Sequence, residues 1–234
     1  DAVIATTEEA ATHVPHVKAV VPHGVDLDVF TSPADRAAAW VELGYGGKLG
    51  LATVGRVRPE KGTDLFVDAM LRVLPQHADA VALVIGRAAR EHKKFELDLK
   101  DRVEATGLSD RILFIGELPP EQLPKVMQGI SLLVAMPRYE GYGMTPLEAM
   151  ASGVPFVATD TGYYRAFSVQ GTAGTVVGLY DVDAVVEEVQ GLLTDGPRLA
   201  QMSSAAFQSV QGAHSVEREA AGIQGVYEDL WATG

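Results

Sequence analysis

Two glutamates, Glu140 and Glu148, bracket the stretch of the chain with the strongest chemical signal. A glycine-rich loop between them leads into a predicted helix, in which Thr145 and Glu148 have the spacing of a capping box and Pro146 takes the first helical position. The unpaired N–H groups at a helix start suit a phosphate, and carboxylates accept hydrogen bonds from hydroxyls. Phosphate flanked by hydroxyl-bearing groups describes a nucleotide sugar, so the stretch predicts a site for one.

A second block, residues 55–62, concentrates positive charge after a predicted strand and contains Arg56, Arg58 and Lys61. The formal net charge of the chain is −12, so an anionic ligand has to be held by a local cluster of this kind. Arginine offers a planar fork to phosphate oxygens, and lysine offers a point charge. The block therefore predicts phosphate binding by Arg56 and Lys61.

Each of these residues also has a purely structural explanation. Glu148 could serve only as a capping-box residue, and Glu140 could be a solvated loop charge. The two cations could form surface ion pairs with Glu60 or Asp64, and such pairs contribute little to stability. The combination of both blocks favours binding over these separate explanations.

Short apolar runs alternate with helical patterns along the chain, which predicts βαβ units and an α/β fold with a Rossmann-like, doubly wound parallel sheet. The predicted strands are residues 49–54, 81–85, 112–115, 132–135, 155–158 and 175–177. The predicted helices are residues 36–40, 64–74, 91–106, 121–128, 146–152, 182–193, 197–211 and 216–231. Two short strands, residues 3–5 and 17–21, with a helical piece between them, precede this pattern.

The candidate polar residues follow predicted strands, and the carboxyl ends of parallel strands meet at one edge of a sheet. Arg56 and Lys61 follow the first large strand, Gly86 and Arg87 the second, residues 116–118 the third, and Glu140 the fourth. This order predicts a cleft at that edge. Arg87 reaches a ligand there or is only solvated; the sequence leaves both alternatives open.

Composition excludes several other classes of function. The absence of cysteine among the 234 residues rules out disulfides and cysteine catalysis. The acidic balance argues against a nucleic acid partner and against anionic lipid headgroups. No apolar run reaches transmembrane length. His13 and His16 form no convincing metal cluster, so we expect no metal.

The two blocks resemble those of the retaining GT-B glycosyltransferases of family 4. Residues 140–143 read EGYG, residues 148–155 read EAMASGVP, and residues 54–62 read VGRVRPEKG. Residues 21–26, VPHGVD, resemble the family's interdomain linker, in which Asn is more usual than His23. Within the family, the residue patterns of segments 55–70 and 110–117 are most similar to those of bacterial lipopolysaccharide core mannosyltransferases.

The resemblance implies a domain organisation in which the chain is the C-terminal, donor-binding half of a GT-B fold. Residues 1–25 would be a remnant of the acceptor domain and the linker, and residues 26–215 the donor domain. Residues 216–234 would be a helix that crosses back to an absent N-terminal domain. We therefore expect the isolated chain to bind nucleotide without turnover. We also expect its last helix, with Tyr227, Leu230 and Trp231, to pack elsewhere or lie exposed, and therefore either self-association or a displaced C-terminus.

The resemblance also implies the roles of individual residues. Arg56, Lys61 and Glu140 would act at the reacting sugar and diphosphate, without a metal or another cofactor. The donor would be held by Gly55, Gly86, Arg87, Gly116, Leu118, Gly141, Tyr142, Gly143, Met144, Thr145 and Glu148. The loop after Gly162 departs from the family pattern, because Tyr163 and its successors stand where an acidic residue is usual.

The implied reaction moves a hexose, expected to be mannose from GDP-mannose, to a glycan or lipid-linked lipopolysaccharide core acceptor. The expected location is cytoplasmic or peripheral at the cytoplasmic face of the inner membrane. Two rival interpretations remain, namely a nucleotide-sugar epimerase of the same fold and a binding module that is inactive alone. A dinucleotide-binding domain is disfavoured, since residues 55–58 do not begin a G-x-G-x-x-G motif.

Overall fold

The computed structural model describes residues 2–233 and contains two parallel sheets. The small sheet pairs β1 (Val3–Ala5) with β2 (Val17–Val20). The large sheet has the order β5-β4-β3-β6-β7-β8. Its strands are β3 (Leu49–Val54), β4 (Ala80–Ile85), β5 (Ile112–Gly116), β6 (Leu132–Ala135), β7 (Phe156–Thr159) and β8 (Gly174–Val177). All of its pairings are parallel, which confirms the predicted sheet, and each strand bound differs from the prediction by at most one residue.

The helices lie before, between and after these strands. In chain order they are α1 (Glu8–Thr12), α2 (Arg36–Leu43), α3 (Thr63–Val73), α4 (Lys93–Glu104), α5 (Leu123–Gly129), α6 (Met144–Ala151), α7 (Tyr164–Phe167), α8 (Val182–Thr194), α9 (Gly196–Ala213) and α10 (Val216–Thr233). Short 3₁₀ helices occupy Pro59–Lys61, Leu74–Gln76 and Arg90–His92. The predicted start of the fourth helix was wrong by two residues, because Arg90–His92 forms a separate 3₁₀ turn.

Two hydrophobic cores lie on opposite faces of the large sheet because successive side chains of a strand point to opposite sides. In β3, Leu51 belongs to one core and Ala52 to the other. The first core contains apolar residues of α3, α4 and α8, and the second contains those of α2, α5, α6 and α9. Helices therefore cover both faces, as the doubly wound prediction requires. The strand order reverses between β3 and β6, which places the switch point there.

Arg36 joins two helix ends across one face of the sheet. Its guanidinium group donates to five backbone carbonyls, at the C-terminal ends of α5 and α6. These acceptors include the carbonyls of Gln128 at 2.8 Å and of Ser152 at 2.7 Å. The last carbonyls of a helix have no partner inside it, so one buried arginine satisfies the end of each helix. Burial lowers the pKa of Arg36 to about 10.

The last helix, α10, packs against the N-terminal segment. Gly222 lies against the side chain of Val21, and Val226 is buried. The Glu219 carboxylate accepts hydrogen bonds from His23 Nδ1 at 2.8 Å and from the Gly24 N–H at 2.9 Å. Burial works to raise the pKa of Glu219, but these two hydrogen bonds outweigh it and hold the pKa below its usual range.

A backbone bridge joins Val25 to Ser215 where the chain enters and leaves the large sheet. The bridge lies beside the predicted boundaries at residues 25 and 216, and the domain division itself stays a prediction. Asp1 and Gly234, the outer limits of the two terminal segments, lie outside the described residues. Within residues 2–233, no helix combines the length and hydrophobicity that crossing a membrane requires.

Candidate functional site

A cavity of about 830 Å³ opens at the carboxyl ends of β3, β4 and β5. It is the edge at which the sequence predicts a cleft. Five of the predicted residues line it, namely Gly55, Arg56, Gly86, Arg87 and Leu118. Arg90, Lys93, Glu117 and Leu123 line it as well. Gly116 does not line it; this glycine is the last residue of β5, and its carbonyl accepts the Gly86 N–H at 2.7 Å.

Arg56 is an exposed cation of this cavity that forms no hydrogen bond or ion pair with any residue in the described range. Neighbouring charges are engaged: Arg58 lies 3.8 Å from Glu60, and the Nε of Arg87 lies 2.7 Å from the Glu117 carboxylate. The structure therefore gives Arg56 no surface pair with Glu60 or Asp64. An unpaired guanidinium group beside a cavity is suited to an anionic ligand.

Lys61 and Glu140 form an ion pair, with Nζ and Oε2 2.7 Å apart. Their side chains are 27 % and 20 % exposed, so the pair is shielded from much of the solvent. The other carboxylate oxygen of Glu140 accepts the Gly141 N–H at 3.0 Å. The two sequence blocks thus meet at one point, and neither Lys61 nor Glu140 is a solvated surface charge.

A second ion pair, which the sequence analysis missed, joins the loop before Glu140 to the first turn of α3. Arg138 binds the Asp64 carboxylate through both terminal nitrogens, at 2.8 and 2.6 Å. It also donates to the Pro59 carbonyl, and its N–H donates to the Glu60 carbonyl at 2.9 Å. Burial works to raise the pKa of Asp64, but Arg138 outweighs it and holds the pKa below its usual range. In the sequence, the only indication of this ion pair is that an arginine stands two residues before Glu140.

The predicted capping box does not form. Helix α6 starts at Met144 and not at Pro146, its N-cap is Gly143 at φ 102°, and no side chain caps it. Thr145 therefore lies inside the first turn, where Pro146 is tolerated because N–H groups there have no intrahelical acceptor. A positive φ at the N-cap favours glycine, and a Cβ at Gly143 would overlap the ring of Tyr164.

Glu148 is partly buried in α6 and accepts no hydrogen bond from the described part of the chain. The alternative that Glu148 is only a helix cap is therefore wrong. Burial raises the pKa of Glu148. A carboxylate that is withdrawn from water without a partner is costly unless a ligand supplies donors.

The side chain of Tyr142 packs against other aromatic rings. Its ring stacks on Tyr163 at a centroid distance of 5.6 Å and meets the edges of His23 and Phe167. Its carbonyl accepts the Tyr163 N–H at 3.0 Å, so this carbonyl is already engaged. Burial raises the pKa of Tyr142 to about 12.

The loop after Gly162, for which the sequence predicts no helix, forms the short helix α7. The residues just before α7, Gly162 and Tyr163, and residues of α1 border a smaller cavity of about 460 Å³, which is also lined by Glu140, Gly141, His13 and Asp160. Within residues 2–233, no three His, Cys, Asp or Glu side chains lie in an arrangement that could hold a metal ion.

The fold and this site define a doubly wound α/β protein with a cation-lined cavity at the carboxyl ends of β3, β4 and β5, on one side of its switch point. The chain belongs to the glycosyl transferases group 1 family, which it matches over residues 40–209. It is 42 % identical over 233 residues to the lipopolysaccharide core biosynthesis mannosyltransferase LpsB of Rhizobium meliloti strain 1021. That alignment covers 98 % of this chain but only 66 % of the relative, which is just under two thirds.

Solved structures show the same architecture, which is that of GT-B glycosyltransferases. The C-terminal domain of the group 1 glycosyl transferase LpcC from Francisella tularensis superposes with a TM-score of 0.79 at 28 % identity. The superposition covers 82 % of this chain and all of that domain. Alr3699/HepE from Anabaena, in complex with UDP, has a TM-score of 0.85 at 22 % identity over 99 % of this chain and 64 % of that one. This second likeness concerns the fold alone.

Proposed function

We propose that the chain is the donor-binding part of a retaining family 4 glycosyltransferase that moves mannose from GDP-mannose to a lipopolysaccharide core acceptor. The observation that carries the proposal is the ion pair of Lys61 with Glu140, because the Lys61 side chain lies next to Gly55 at the edge of the cavity that the unpaired Arg56 lines. The mannosyl and lipopolysaccharide parts rest on the 42 % identity to LpsB.

The chemistry follows from the charge that develops when the sugar leaves its diphosphate. Negative charge grows on the leaving phosphate, and fixed positive groups stabilise it. Arg56 and Lys61 supply such groups, and the uncapped first turn of α6 supplies N–H donors. In the proposed mechanism the acceptor attacks from the face that the diphosphate leaves, and the leaving phosphate helps to take the proton of the acceptor.

Glu140 is assigned to the hydroxyls of the transferred sugar and not to nucleophilic attack. Both of its oxygens already accept a hydrogen bond, from Lys61 and from Gly141, which holds the side chain in place and lowers its nucleophilicity. Glu148, which has no partner in the described chain, is assigned to the ribose hydroxyls.

Calorimetric titration with GDP, UDP and ADP, without added metal, tests the donor site. We expect micromolar binding of GDP and at least a tenfold loss in Lys61→Ala and Glu148→Gln. Lys48→Ala is a matched control, because Lys48 forms a similar ion pair with Asp79 at 2.8 Å just before β3, away from the cavity. Equal affinities in Lys61→Ala and the wild type would contradict the proposed site.

We expect the chain alone to bind nucleotide without transferring sugar, since it spans 66 % of the length of LpsB. A transfer assay with GDP-mannose and a lipopolysaccharide core acceptor measures this directly. Its products would also distinguish the transferase from an epimerase, which would release an isomerised sugar with no acceptor product.

A further inference from the structure

An aromatic cluster connects the glycine-rich loop before α6 with the place where the chain enters and leaves the large sheet. Five rings form the cluster, and each contacts at least one other at centroid distances of 4.9–5.6 Å: His23, Tyr142, Tyr163, Phe167 and His214. Tyr142 belongs to the loop, whereas His23 and His214 come just before the bridged residues Val25 and Ser215. The loop is therefore in direct contact with the joint, by which we mean residues 21–25 and 214–219.

The ring of His23 is held from two sides. Its Nδ1 lies 2.8 Å from the Glu219 carboxylate of α10, and its edge meets the Tyr142 ring at an interplanar angle of 83°. Such edge-to-face contacts are favourable between aromatic rings. His23 lines neither the 830 Å³ cavity nor the 460 Å³ cavity. Any effect of His23 on a ligand must therefore pass through a neighbour, and Tyr142 is the neighbour that belongs to the loop.

Tyr142 has little freedom to move independently of its backbone. The residue is 8 % exposed, and its carbonyl accepts the Tyr163 N–H at 3.0 Å. A Cβ at Gly162 would lie 2.9 Å from the same carbonyl, so the chain packs closely there as well. In a close-packed environment, a shift of the Tyr142 ring displaces the backbone to which it is attached. That backbone leads directly into Gly143, the N-cap of α6.

We infer that His23 is a positioning residue for the donor. Its ring sets the placement of Tyr142 and, through Tyr142, of the N–H groups at the start of α6. The inference rests on the proposed function, in which these N–H groups receive the diphosphate, and small misplacements of such groups weaken binding. Because coupling between two sites is reciprocal, a rotation at the joint would change donor affinity, and a bound donor would order the joint.

Two substitutions of His23 separate its ring from its hydrogen bond. His23→Asn keeps a donor for Glu219 but removes the ring, whereas His23→Phe keeps the ring and loses the donor. Titration with GDP and UDP in parallel identifies the tighter nucleotide, whose affinity is then measured in each variant. We expect about fivefold weaker binding in His23→Asn, the scale of one aromatic contact, and an affinity within about twofold of the wild type in His23→Phe.

Lys18→Ala is the matched control for these titrations. Lys18 lies in β2, and its Nζ is 3.8 Å from the Asp229 carboxylate, so this pair also joins the N-terminal segment to α10. Lys18 lines neither of the two cavities. A change that only loosens the attachment of α10 is reproduced by Lys18→Ala, for which we expect the wild-type nucleotide affinity.

A double-mutant cycle shows whether Tyr142 carries the effect. In a Tyr142→Leu background, the addition of His23→Asn should change the nucleotide affinity by less than about twofold. Hydrogen exchange measures the reciprocal effect at the Gly24 N–H, which donates to Glu219 at 2.9 Å. Saturating nucleotide should slow this exchange about threefold in the wild type and leave it unchanged in His23→Asn.

The outcomes separate this inference from the proposed function. Equal affinities in His23→Asn and the wild type overturn the inference while the nucleotide site stands. A loss in His23→Phe without a loss in His23→Asn also overturns it, since His23 would then act only through Glu219. So does a loss in His23→Asn that persists undiminished in the Tyr142→Leu background. If neither nucleotide binds to the wild type, the proposed donor site fails together with the inference. Unchanged thermal midpoints verify that the variants are folded.

Discussion

At the scale of single residues, the binding role proposed for Glu148 would come at a cost in stability. Burial raises its pKa, and no group in the described chain donates to it. As the pH rises above about 4, the unfolded chain ionises this carboxyl freely while the folded chain resists. Stability is therefore lost through the acidic range, and the full cost is present at neutral pH.

We predict that Glu148→Gln stabilises the free chain at pH 7 by about 1 kcal/mol, because the substitution removes a partly buried charge that has no hydrogen-bond donor in the described chain. The thermal midpoint should rise by roughly 2–4 °C. The gain should disappear near pH 4, where the wild-type carboxyl is protonated. Differential scanning calorimetry at both pH values measures it, and the exposed Glu187→Gln is a control for which we expect no change. A lower midpoint in Glu148→Gln at pH 7 would contradict the prediction.

The sequence predicts the site residues that belong to contiguous patterns and misses those that act across loops. Arg56 and Glu140 stand out by residue type and by following strands. Arg138 and Asp64 are 74 positions apart and had no shared motif, so their bidentate pair became visible only in three dimensions. Tyr142 lies in a recognised motif, but its packing against Tyr163 could not be read from it.

At the scale of elements, Arg36 determines how α5 and α6 end. Its acceptors lie 91 to 117 positions away along the chain, in two separate helix ends. Because no local pattern connects these positions, the sequence predicts α2 as an isolated short helix. The structure instead makes the first residue of α2 the common cap of α5 and α6.

We predict that Arg36→Ala lowers the free energy of unfolding by about 3 kcal/mol, because several buried carbonyls lose their donor. The urea midpoint should fall without a change in slope. Arg72→Ala is a suitable control, since Arg72 forms an exposed pair with Asp183 and should cost less than about 1 kcal/mol. Equal losses in the two variants would show that the cap contributes nothing beyond a surface pair.

Element bounds were predictable where apolar runs are short and sharply bounded. The strands of the large sheet are fully or largely buried, and their near-continuous apolar runs with abrupt ends identify them within one residue. The start of α6 was misplaced because proline fits any position of a first turn, and Thr145 resembled a cap. Helix α7 has only four residues, too few for a helical period to be recognised.

At the scale of the whole molecule, α10 leaves an aromatic surface in solvent. Tyr227 and Trp231 are 54 % and 79 % exposed, and their rings lie 5.9 Å apart. The sequence predicts that this face either packs elsewhere or lies exposed, and the structure shows the second alternative.

We predict that the chain self-associates through this face as its concentration rises, because burying adjacent aromatic rings is favourable. Sedimentation velocity from micromolar to submillimolar concentration measures it. Trp231→Ser should shift the transition to at least tenfold higher concentration, whereas Val41→Ser, at another exposed apolar residue, should not. A monomer at every concentration would refute the prediction.

The bridge between Val25 and Ser215 brings together the two ends of the segment that contains the large sheet. Residues 26–214 begin and end side by side, and Gly24 lies so close to the Ser215 carbonyl that a Cβ there would overlap it. A unit with adjacent ends can be inserted, replaced or circularly permuted without redirecting the rest of the chain. Residues 26–214 are therefore a segment that we expect to be exchangeable as one unit. If the donor binds as proposed, exchanging this unit for that of a relative should transfer the nucleotide and sugar preference while leaving α10 and the N-terminal strands in place.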